Sequence, residues 1–263
     1  MSPILSVHNL EKTFGSVFAA RDISLDLDPE QTVGIIGANG AGKTTFVNMI
    51  TGHIRPSQGS IHFAERDITG LSTRAITRLG ISRSFQMAQV FPSLTVFENV
   101  AAAAAIARHS GTGMARLMAP LLSGTTVADA DGAIELFGIE RYRHIRASTL
   151  PQGVRKLLDI AMAVVGWPRL LLLDEPTSGI SIEEKFTLMD LVMSALRTRN
   201  ITVLFVEHDM EIVARFADRV LAFYDGTVIA DGNPTDTLRD SRVQAFISGT
   251  KLTAAPAHGA SDA

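Results

Sequence analysis

The sequence of 263 residues contains no cysteine, which excludes disulfide bonds and cysteine-ligated metal sites. It also has no excess of basic residues, because 24 Lys and Arg residues stand against 27 Asp and Glu residues, for a formal net charge of −3. A domain that binds mainly nucleic acid usually carries a positive balance. We therefore expect no nucleic-acid partner.

Long apolar runs are absent as well. No stretch of about 18 uncharged apolar residues, the length at which a membrane span begins to be plausible, occurs in the sequence. The nearest one, residues 157–173, is interrupted by Asp159, Pro168 and Arg169. Residues 1–12 lack the basic and then apolar pattern of a secretion signal. Any action at a membrane is therefore expected to depend on a partner protein.

What the sequence does contain is a glycine-rich loop between a strand and a helix. Residues 32–36 are an apolar run typical of a buried strand, and residues 46–50 continue at helical spacing. Between them lie the residues of the phosphate loop: Gly37, Ala38, Asn39, Gly40, Ala41, Gly42, Lys43, Thr44 and Thr45. The glycines let backbone N–H groups turn toward a phosphate, and the helix start adds the positive end of its dipole. The pattern predicts a nucleoside-triphosphate site, with Lys43 on the β- and γ-phosphates and the Thr44 hydroxyl on Mg²⁺.

Two later strand ends carry side chains suited to phosphate chemistry. Residues 170–173 indicate a buried strand that delivers Asp174 and Glu175 to the carboxyl edge of a sheet, where ligands bind in open α/β folds. Asp174 is predicted to anchor Mg²⁺, and Glu175 to act as general base toward an attacking water. His208 follows another buried strand, residues 201–206, and is predicted to contact the γ-phosphate or the attacking water.

The rest of the chain is patterned as an α/β protein. Alternating residues at 5–8 and 23–28 predict an early antiparallel layer, and residues 220–230 predict a hairpin. Residues 87–160 differ in composition from the segments on either side, with alanine-rich and helically spaced stretches, and they predict a helical subdomain inserted in the sheet domain. Within it, irregularly spaced Gly, Pro and Ser predict a loop over residues 111–126.

With its motifs in this order, the sequence resembles the ATP-binding subunits of ABC transporters. The resemblance implies an α/β fold: a P-loop NTPase core with a mainly parallel sheet, an N-terminal antiparallel β layer and an inserted α-helical subdomain. It implies an ABC ATPase domain over residues 1–249. The nucleotide-binding core would comprise 1–86 and 161–249, the helical subdomain with the signature motif 87–160, and a disordered tail 250–263.

The resemblance assigns further residues to the site. Phe14 takes the place of the aromatic residue that stacks on adenine, and Gln86 that of the glutamine that joins Mg²⁺ and the attacking water. The family signature position is filled by Leu150, Pro151, Gln152 and Gly153. The resemblance implies catalytic roles for Lys43, Gln86, Glu175 and His208. It implies Mg²⁺ contacts for Thr44, Gln86 and Asp174, with ATP as the nucleotide.

Two departures from the family pattern stand out. The signature usually carries Ser, then Gly-Gly, then Gln, and here only Leu150 and Gly153 match. Pro151 and Val154 are replacements, so contact with a γ-phosphate would depend on the Gly153 N–H and the helix start that follows. In the loop after the catalytic glutamate, Ser181 stands where aspartate is commoner. Neither change removes a phosphate- or metal-binding group from this chain's own half of the site, so we expect ATPase activity to persist, at an altered rate.

The resemblance also implies partners. A second ABC ATPase subunit, identical or related, would close a two-fold dimer around ATP. Separate transmembrane permeases, and indirectly a solute-binding protein, would complete a system at the cytoplasmic face of the inner membrane, with this chain peripheral. Apolar Met87, Val90, Phe91 and Leu94 either line a groove for a permease helix or belong to the core of the helical subdomain.

Residues 83–86 and 94–100 resemble the subunits of importers for branched-chain and other hydrophobic amino acids, a group with relatives for urea and short amides. Three alternatives stay open. One is the ATPase of a lipid or lipopolysaccharide exporter, and another is a soluble ABC ATPase acting on DNA or ribosomes. The third is a P-loop kinase, which would not need residues 150–153 ahead of Asp174 and Glu175.

Overall fold

In a computed structural model of the protein, the described residues are 2–84, 89–108 and 123–247. The strands are β1 Leu5–Phe14, β2 Val17–Leu27, β3 Thr32–Gly37, β4 Gln58–Phe63, β5 Arg66–Asp67, β6 Ile81–Arg83, β7 Leu170–Asp174, β8 Thr202–Val206, β9 Arg219–Tyr224 and β10 Thr227–Gly232. The helices are α1 Lys43–Ile50, α2 Thr73–Leu79, α3 Val96–Arg108, α4 Gly124–Leu136, α5 Gln152–Val164, α6 Ile182–Arg197, α7 Met210–Phe216, α8 Pro234–Arg239 and α9 Ser241–Ile247.

Two sheets form the body of the molecule. The first is antiparallel, with the strand order β2-β1-β4-β5. The second has the order β10-β9-β3-β8-β7-β6, in which five strands run parallel and β10 returns antiparallel to β9. The prediction of a mainly parallel sheet with an N-terminal antiparallel layer is therefore confirmed, and so is the hairpin over residues 220–230.

Both faces of the parallel sheet are covered, and successive residues of β7 belong alternately to two cores. On β7, Leu171 and Leu173 belong to a core shared with α3 to α7, whereas Leu170 and Leu172 belong to a core shared with the antiparallel sheet and α1. Successive side chains of a strand point to opposite faces. A strand covered on both sides is therefore apolar throughout, which explains the run of four leucines before Asp174.

Helices α3, α4 and α5 contact one another and lie between β6 and β7 in the chain, as the predicted insertion requires. Ala101, Ala104 and Ala105 of α3 are buried, because small side chains let this helix approach its neighbours closely. The predicted boundary at residue 160 falls inside α5, and we propose Val164 as the end of the insertion. Across the described ranges, every helix is too short or too polar to traverse a bilayer.

One predicted loop is wrong at its end, because α4 begins at Gly124 rather than after residue 126. The Ser123 hydroxyl accepts a hydrogen bond from the Thr126 N–H at 3.2 Å, and this cap satisfies one of the open donors at the helix start. Gln86, most of the predicted loop and the predicted tail at 250–263 lie outside the described residues.

Candidate functional site

The phosphate loop is built where β3 meets α1. A β-carbon on Gly37, whose φ is +152°, would collide with the carbonyl oxygen of Phe223. One on Gly42, whose φ is +101°, would lie 2.6 Å from the carbonyl oxygen of Ala19. Only glycine tolerates both the backbone conformation and the close approach at these positions. The glycine spacing found in the sequence is therefore a steric requirement of the fold.

The neighbouring hairpin supports the middle of this loop. The Gly226 N–H donates to the Ala41 carbonyl at 3.0 Å, and the Ala41 N–H donates to the Ala38 carbonyl at 3.1 Å. Residues 38–40 remain exposed, as does Thr44 in the first turn of α1, whereas Thr45 is half-buried. The loop is thus held from the protein side while its outer surface is open to a ligand.

Lys43 is buried beneath the loop. Its ammonium Nζ donates to the carbonyl oxygens of Gly37 at 2.7 Å and Ala38 at 3.0 Å. Burial lowers the pKa of the Lys43 ammonium, while the charges of Glu175 and Asp174 act to raise it. Its two hydrogen bonds go to neutral carbonyls, which a phosphate can replace with a charge-assisted bond.

Parallel register brings the two acidic residues and the histidine to the same edge. β8 lies between β3 and β7, with Val206 of β8 opposite Ile35 on one side and Asp174 on the other. Glu175 has a φ of +46°, an uncommon value for a residue with a side chain. Its carboxylate Oε1 lies 3.0 Å from Nε2 of His208. The structure therefore places the predicted general base and the predicted histidine in direct contact.

Glu207 directly precedes His208, and the sequence did not indicate what its side chain contacts. Its side chain is only 3% exposed. One carboxylate oxygen accepts from the Thr177 N–H at 2.9 Å and from the Thr177 hydroxyl at 2.6 Å, and the other accepts from the His208 N–H at 3.1 Å. Glu207 therefore ties the loop after Glu175 to the backbone of His208. The sequence feature that could have identified Glu207 is a carboxylate that directly follows a fully buried strand.

Asp174 was predicted from its strand, but its partner was not. The Arg83 guanidinium donates through Nη2 to Asp174 Oδ2 at 2.5 Å and through Nη1 to Asn48 Oδ1 at 2.6 Å. The side chains of Arg83 and Asp174 are 8% and 16% exposed. Arg83 ends a short edge strand, and nothing in the sequence around it indicates that it contacts Asp174.

The donor chemistry here fits Mg²⁺. Thr44 and Asp174 offer a hydroxyl and a carboxylate, the oxygen ligands that this hard cation prefers. Within the described part of the chain, no group of three or more His, Asp or Glu side chains is arranged to hold a metal by itself. Mg²⁺ usually binds through one or two protein oxygens together with substrate phosphates and water, so a sparse protein donor set suits it.

The predicted adenine-stacking residue lies at the turn between β1 and β2. Phe14 is 52% exposed, and the ammonium of Lys12 lies 5.0 Å from the centroid of its ring. An exposed aromatic ring with a cation beside it is a surface on which a base can stack.

The signature residues lie at the start of α5. Leu150 is buried, whereas Pro151 and Gln152 are exposed and Gly153 is half-buried. The Gln152 side chain packs so closely against Gly179, in the loop after Glu175, that a β-carbon there would collide with it. The signature and the post-glutamate loop of the same chain are therefore in contact, which the sequence did not indicate.

The apolar residues after Gln86 differ in their burial. Val90 packs against the core that the parallel sheet shares with α3 to α7, whereas Phe91 is 49% exposed and Leu94 is half-buried. Buried Asn99 anchors this segment by accepting from the Phe91 N–H at 2.7 Å. Met87 lies outside the described residues.

Comparison with known proteins gives a consistent result. The family described as ABC transporter matches residues 20–178. The high-affinity branched-chain amino acid transport ATP-binding protein LivG of Salmonella typhimurium is 35% identical over 237 residues, which are 89% of this chain and 93% of that protein. BraF of Pseudomonas aeruginosa, a protein of the same description, is 34% identical over 244 residues, 91% and 94% of the two chains. The solved ADP conformation of an ATP-binding cassette of an ABC transporter matches with a TM-score of 0.82 at 26% identity, covering 95% of this chain and 100% of that one.

Proposed function

This chain belongs to the ABC transporter family of ATP-binding proteins, and on that premise we propose that it is the ATP-hydrolysing subunit of an importer. The observation that carries the proposal is the contact between Glu175 and His208, at 3.0 Å, beside the strand that bears the phosphate loop. An ionised carboxylate can only accept a hydrogen bond, so a hydrogen bond at this contact uses a hydrogen on Nε2 of the imidazole.

In the proposed reaction, water attacks the γ-phosphoryl group of ATP and ADP leaves. Glu175 takes the proton of the attacking water on its carboxylate, which His208 holds in place through Oε1. Lys43 exchanges its carbonyl partners for oxygens of the β- and γ-phosphates, and the backbone N–H groups of the loop bind the same charge. The chain's own groups thus position water and phosphate and supply opposite charge, which is most of what phosphoryl transfer requires.

We assign Mg²⁺ to the Thr44 hydroxyl and the Asp174 carboxylate, with Gln86 as a further contact. When bound, the ion neutralises the charge of the phosphates. This assignment is supported by the oxygen character of the donors and by the exposure of Thr44 in the first turn of α1.

We further propose that two such subunits sandwich ATP. The exposed start of α5 offers unpaired N–H groups and the positive end of a helix dipole, which suit the charge of a γ-phosphate held by a second subunit. Binding would then close the pair, and loss of phosphate would let it open. One isologous interface would contain two nucleotide sites.

The transport role follows from the relatives. LivG and BraF are branched-chain amino acid transport proteins by description, and we propose the same class of cargo here, with urea and short amides as neighbouring possibilities. The chain would bind peripherally to permeases at the cytoplasmic face of the inner membrane and serve a solute-binding protein indirectly. Export of lipid or lipopolysaccharide is the competing function, and no observation favours it.

The variant Glu175→Gln tests the proposal. It keeps the size and one acceptor oxygen of the side chain but removes its basicity, so ATP should bind while hydrolysis stalls. We expect an ATP-bound dimer to accumulate on gel filtration with Mg²⁺, whereas the wild-type chain hydrolyses ATP and returns to monomer. A variant that stays monomeric at saturating ATP would contradict the sandwich, and one with wild-type turnover would contradict the role of Glu175.

A further inference from the structure

Arg83 connects the segments that are assigned to the metal. It ends β6, which pairs with β7 in parallel register, so its backbone lies opposite Leu172, close to the point where β7 presents Asp174. Its guanidinium reaches Asp174 Oδ2 with one nitrogen and Asn48 Oδ1 with another. One planar group therefore contacts two elements that are separate in sequence.

Asn48 connects Arg83 to the helix that carries Thr44. It lies on α1 four residues after Thr44, and residues four apart share one face of a helix. The helix that presents the Thr44 hydroxyl and the strand that presents the Asp174 carboxylate are thus linked through Arg83. The same residue immediately precedes the segment that leads to Gln86.

Burial makes the link stiff. The side chains of Arg83 and Asp174 are 8% and 16% exposed, so the pair is shielded from water that would otherwise loosen it. Both hydrogen bonds use the fixed fork of the guanidinium, a geometry that a lysine ammonium on its flexible stem does not reproduce. Groups that hydrogen-bond to a metal ligand without contacting the metal themselves set the orientation of that ligand.

We propose that Arg83 is a positioning residue for Mg²⁺, which holds the Asp174 carboxylate in register with the Thr44 hydroxyl by way of Asn48. The inference rests on the proposed ATPase function and on the assignment of Mg²⁺ to Thr44 and Asp174. A purely structural ion pair would stabilise the fold without any specific effect on the metal, and the two roles predict different results.

The test measures nucleotide binding with and without the metal. A fluorescent ATP analogue is titrated into the wild-type chain, Arg83→Gln, Arg83→Lys and Asn48→Ala in excess chelator, and Mg²⁺ is then titrated into each complex. Arg83→Gln should raise the Mg²⁺ concentration at half-saturation by about tenfold or more, the usual effect of losing a group behind a metal ligand. Arg83→Lys and Asn48→Ala should raise it less, and affinity in chelator should stay at the wild-type level.

Arg215→Gln is the matched control, because it removes an ion pair with Asp190 on the surface formed by α6 and α7. It should leave the Mg²⁺ titration unchanged. Thermal melting checks that each variant is folded, and if Arg83→Gln fails to fold, the milder Arg83→Lys and Asn48→Ala decide the question.

Two results would overturn the inference. One is a wild-type Mg²⁺ titration in the folded Arg83 variants and in Asn48→Ala. The other is an equal loss of nucleotide affinity with and without Mg²⁺, which would make the ion pair structural. Failure of the wild-type chain to hydrolyse ATP would instead contradict the proposed function, so the two failures are distinguishable.

Discussion

Lys43 is a buried cation whose only described hydrogen-bond partners are two backbone carbonyls of the loop that precedes it. That arrangement keeps the ammonium pointed at the loop and ready to exchange a neutral acceptor for a charged one. The depressed pKa of Lys43 reflects the burial that makes such an exchange favourable, because little water competes for the ammonium.

Lys43→Ala should therefore weaken nucleotide binding or turnover severely. Loss of a hydrogen bond from a charged group removes about 1.5–3 kcal/mol, equivalent to about 10- to 150-fold in affinity. Titration with a fluorescent ATP analogue and a phosphate-release assay measure the two effects. Wild-type ATPase activity in this variant would contradict the assignment of the phosphate loop.

Gly42 and Gly40 offer a matched pair of substitutions within the loop. Both have positive φ, but a β-carbon on Gly42 would meet the Ala19 carbonyl at 2.6 Å, whereas one on Gly40 would meet no atom of the described residues within 4 Å. Gly42→Ala should lower the free energy of unfolding by about 1–3 kcal/mol more than Gly40→Ala, since only the former adds overpacking to backbone strain. Equal midpoints in urea unfolding would show that the close approach carries no cost.

At the scale of elements, the end of β8 and the loop after β7 act as one unit because of Glu207. Its carboxylate satisfies three donors that belong to Thr177 and His208. Through His208 the same unit reaches Glu175. Glu175, the proposed general base, is thus held by contacts from two loops, and movement of either loop would change its position.

Glu207→Ala should lower both stability and turnover, because it leaves several buried donors unsatisfied at about 1–3 kcal/mol each. Thr177→Val is the graded control: it removes the hydroxyl bond alone, keeps the shape of the side chain, and should cost about 1–2 kcal/mol. Urea unfolding and the kcat of ATP hydrolysis measure the effects. If the two variants lose equal amounts of stability and of kcat, Glu207 does not link the two loops.

The start of α4 shows how an element can be misjudged from sequence. Glycine and threonine at 124–126 favour a loop by composition, yet the Ser123 cap and the packing of α4 against α3 and α5 hold these residues in a helix. Tertiary contacts outweigh weak helix propensity when the helix has a buried face, as Ala130, Ala133 and Ile134 show.

At the scale of the whole molecule, the exposed start of α5 and the open phosphate loop are the two surfaces that the proposed dimer would bring together across its interface. The contact of Gln152 with Gly179 places the signature beside the loop after Glu175 within the same subunit. We propose that a change at the interface of the proposed dimer would reach both loops together, because they are in contact.

Affinity capture from native membranes tests the transport role. A tagged Glu175→Gln chain, held with ATP and Mg²⁺, should co-purify with two integral membrane permeases and lead to a solute-binding protein encoded beside them. The Lys43→Ala chain serves as the control that does not bind nucleotide and should recover less of this complex. Recovery of a lipid-exporting membrane subunit would replace import with the competing function.

The sequence by itself was sufficient to predict the phosphate loop, the position of Asp174 and Glu175 at a strand end, the layered α/β fold and the family. These features are local: glycine spacing, apolar runs and helix starts depend on a few consecutive residues, and their order along the chain carries the rest. The buried strand predicted from the four leucines before Asp174 is an example, and the structure confirms it. A strand that is buried on both faces has apolar residues at every position, so it can be recognised from composition alone.

The contacts behind the site were decided by tertiary structure alone. Arg83 meets Asn48 and Asp174 across 35 and 91 positions of sequence, and Glu207 meets Thr177 across 30. A periodic pattern indicates which face of an element is buried, but it does not indicate which distant residue lies opposite. That choice depends on strand order and register, which place β6 beside β7 and β8 beside β7, and it is made only when the sheet assembles.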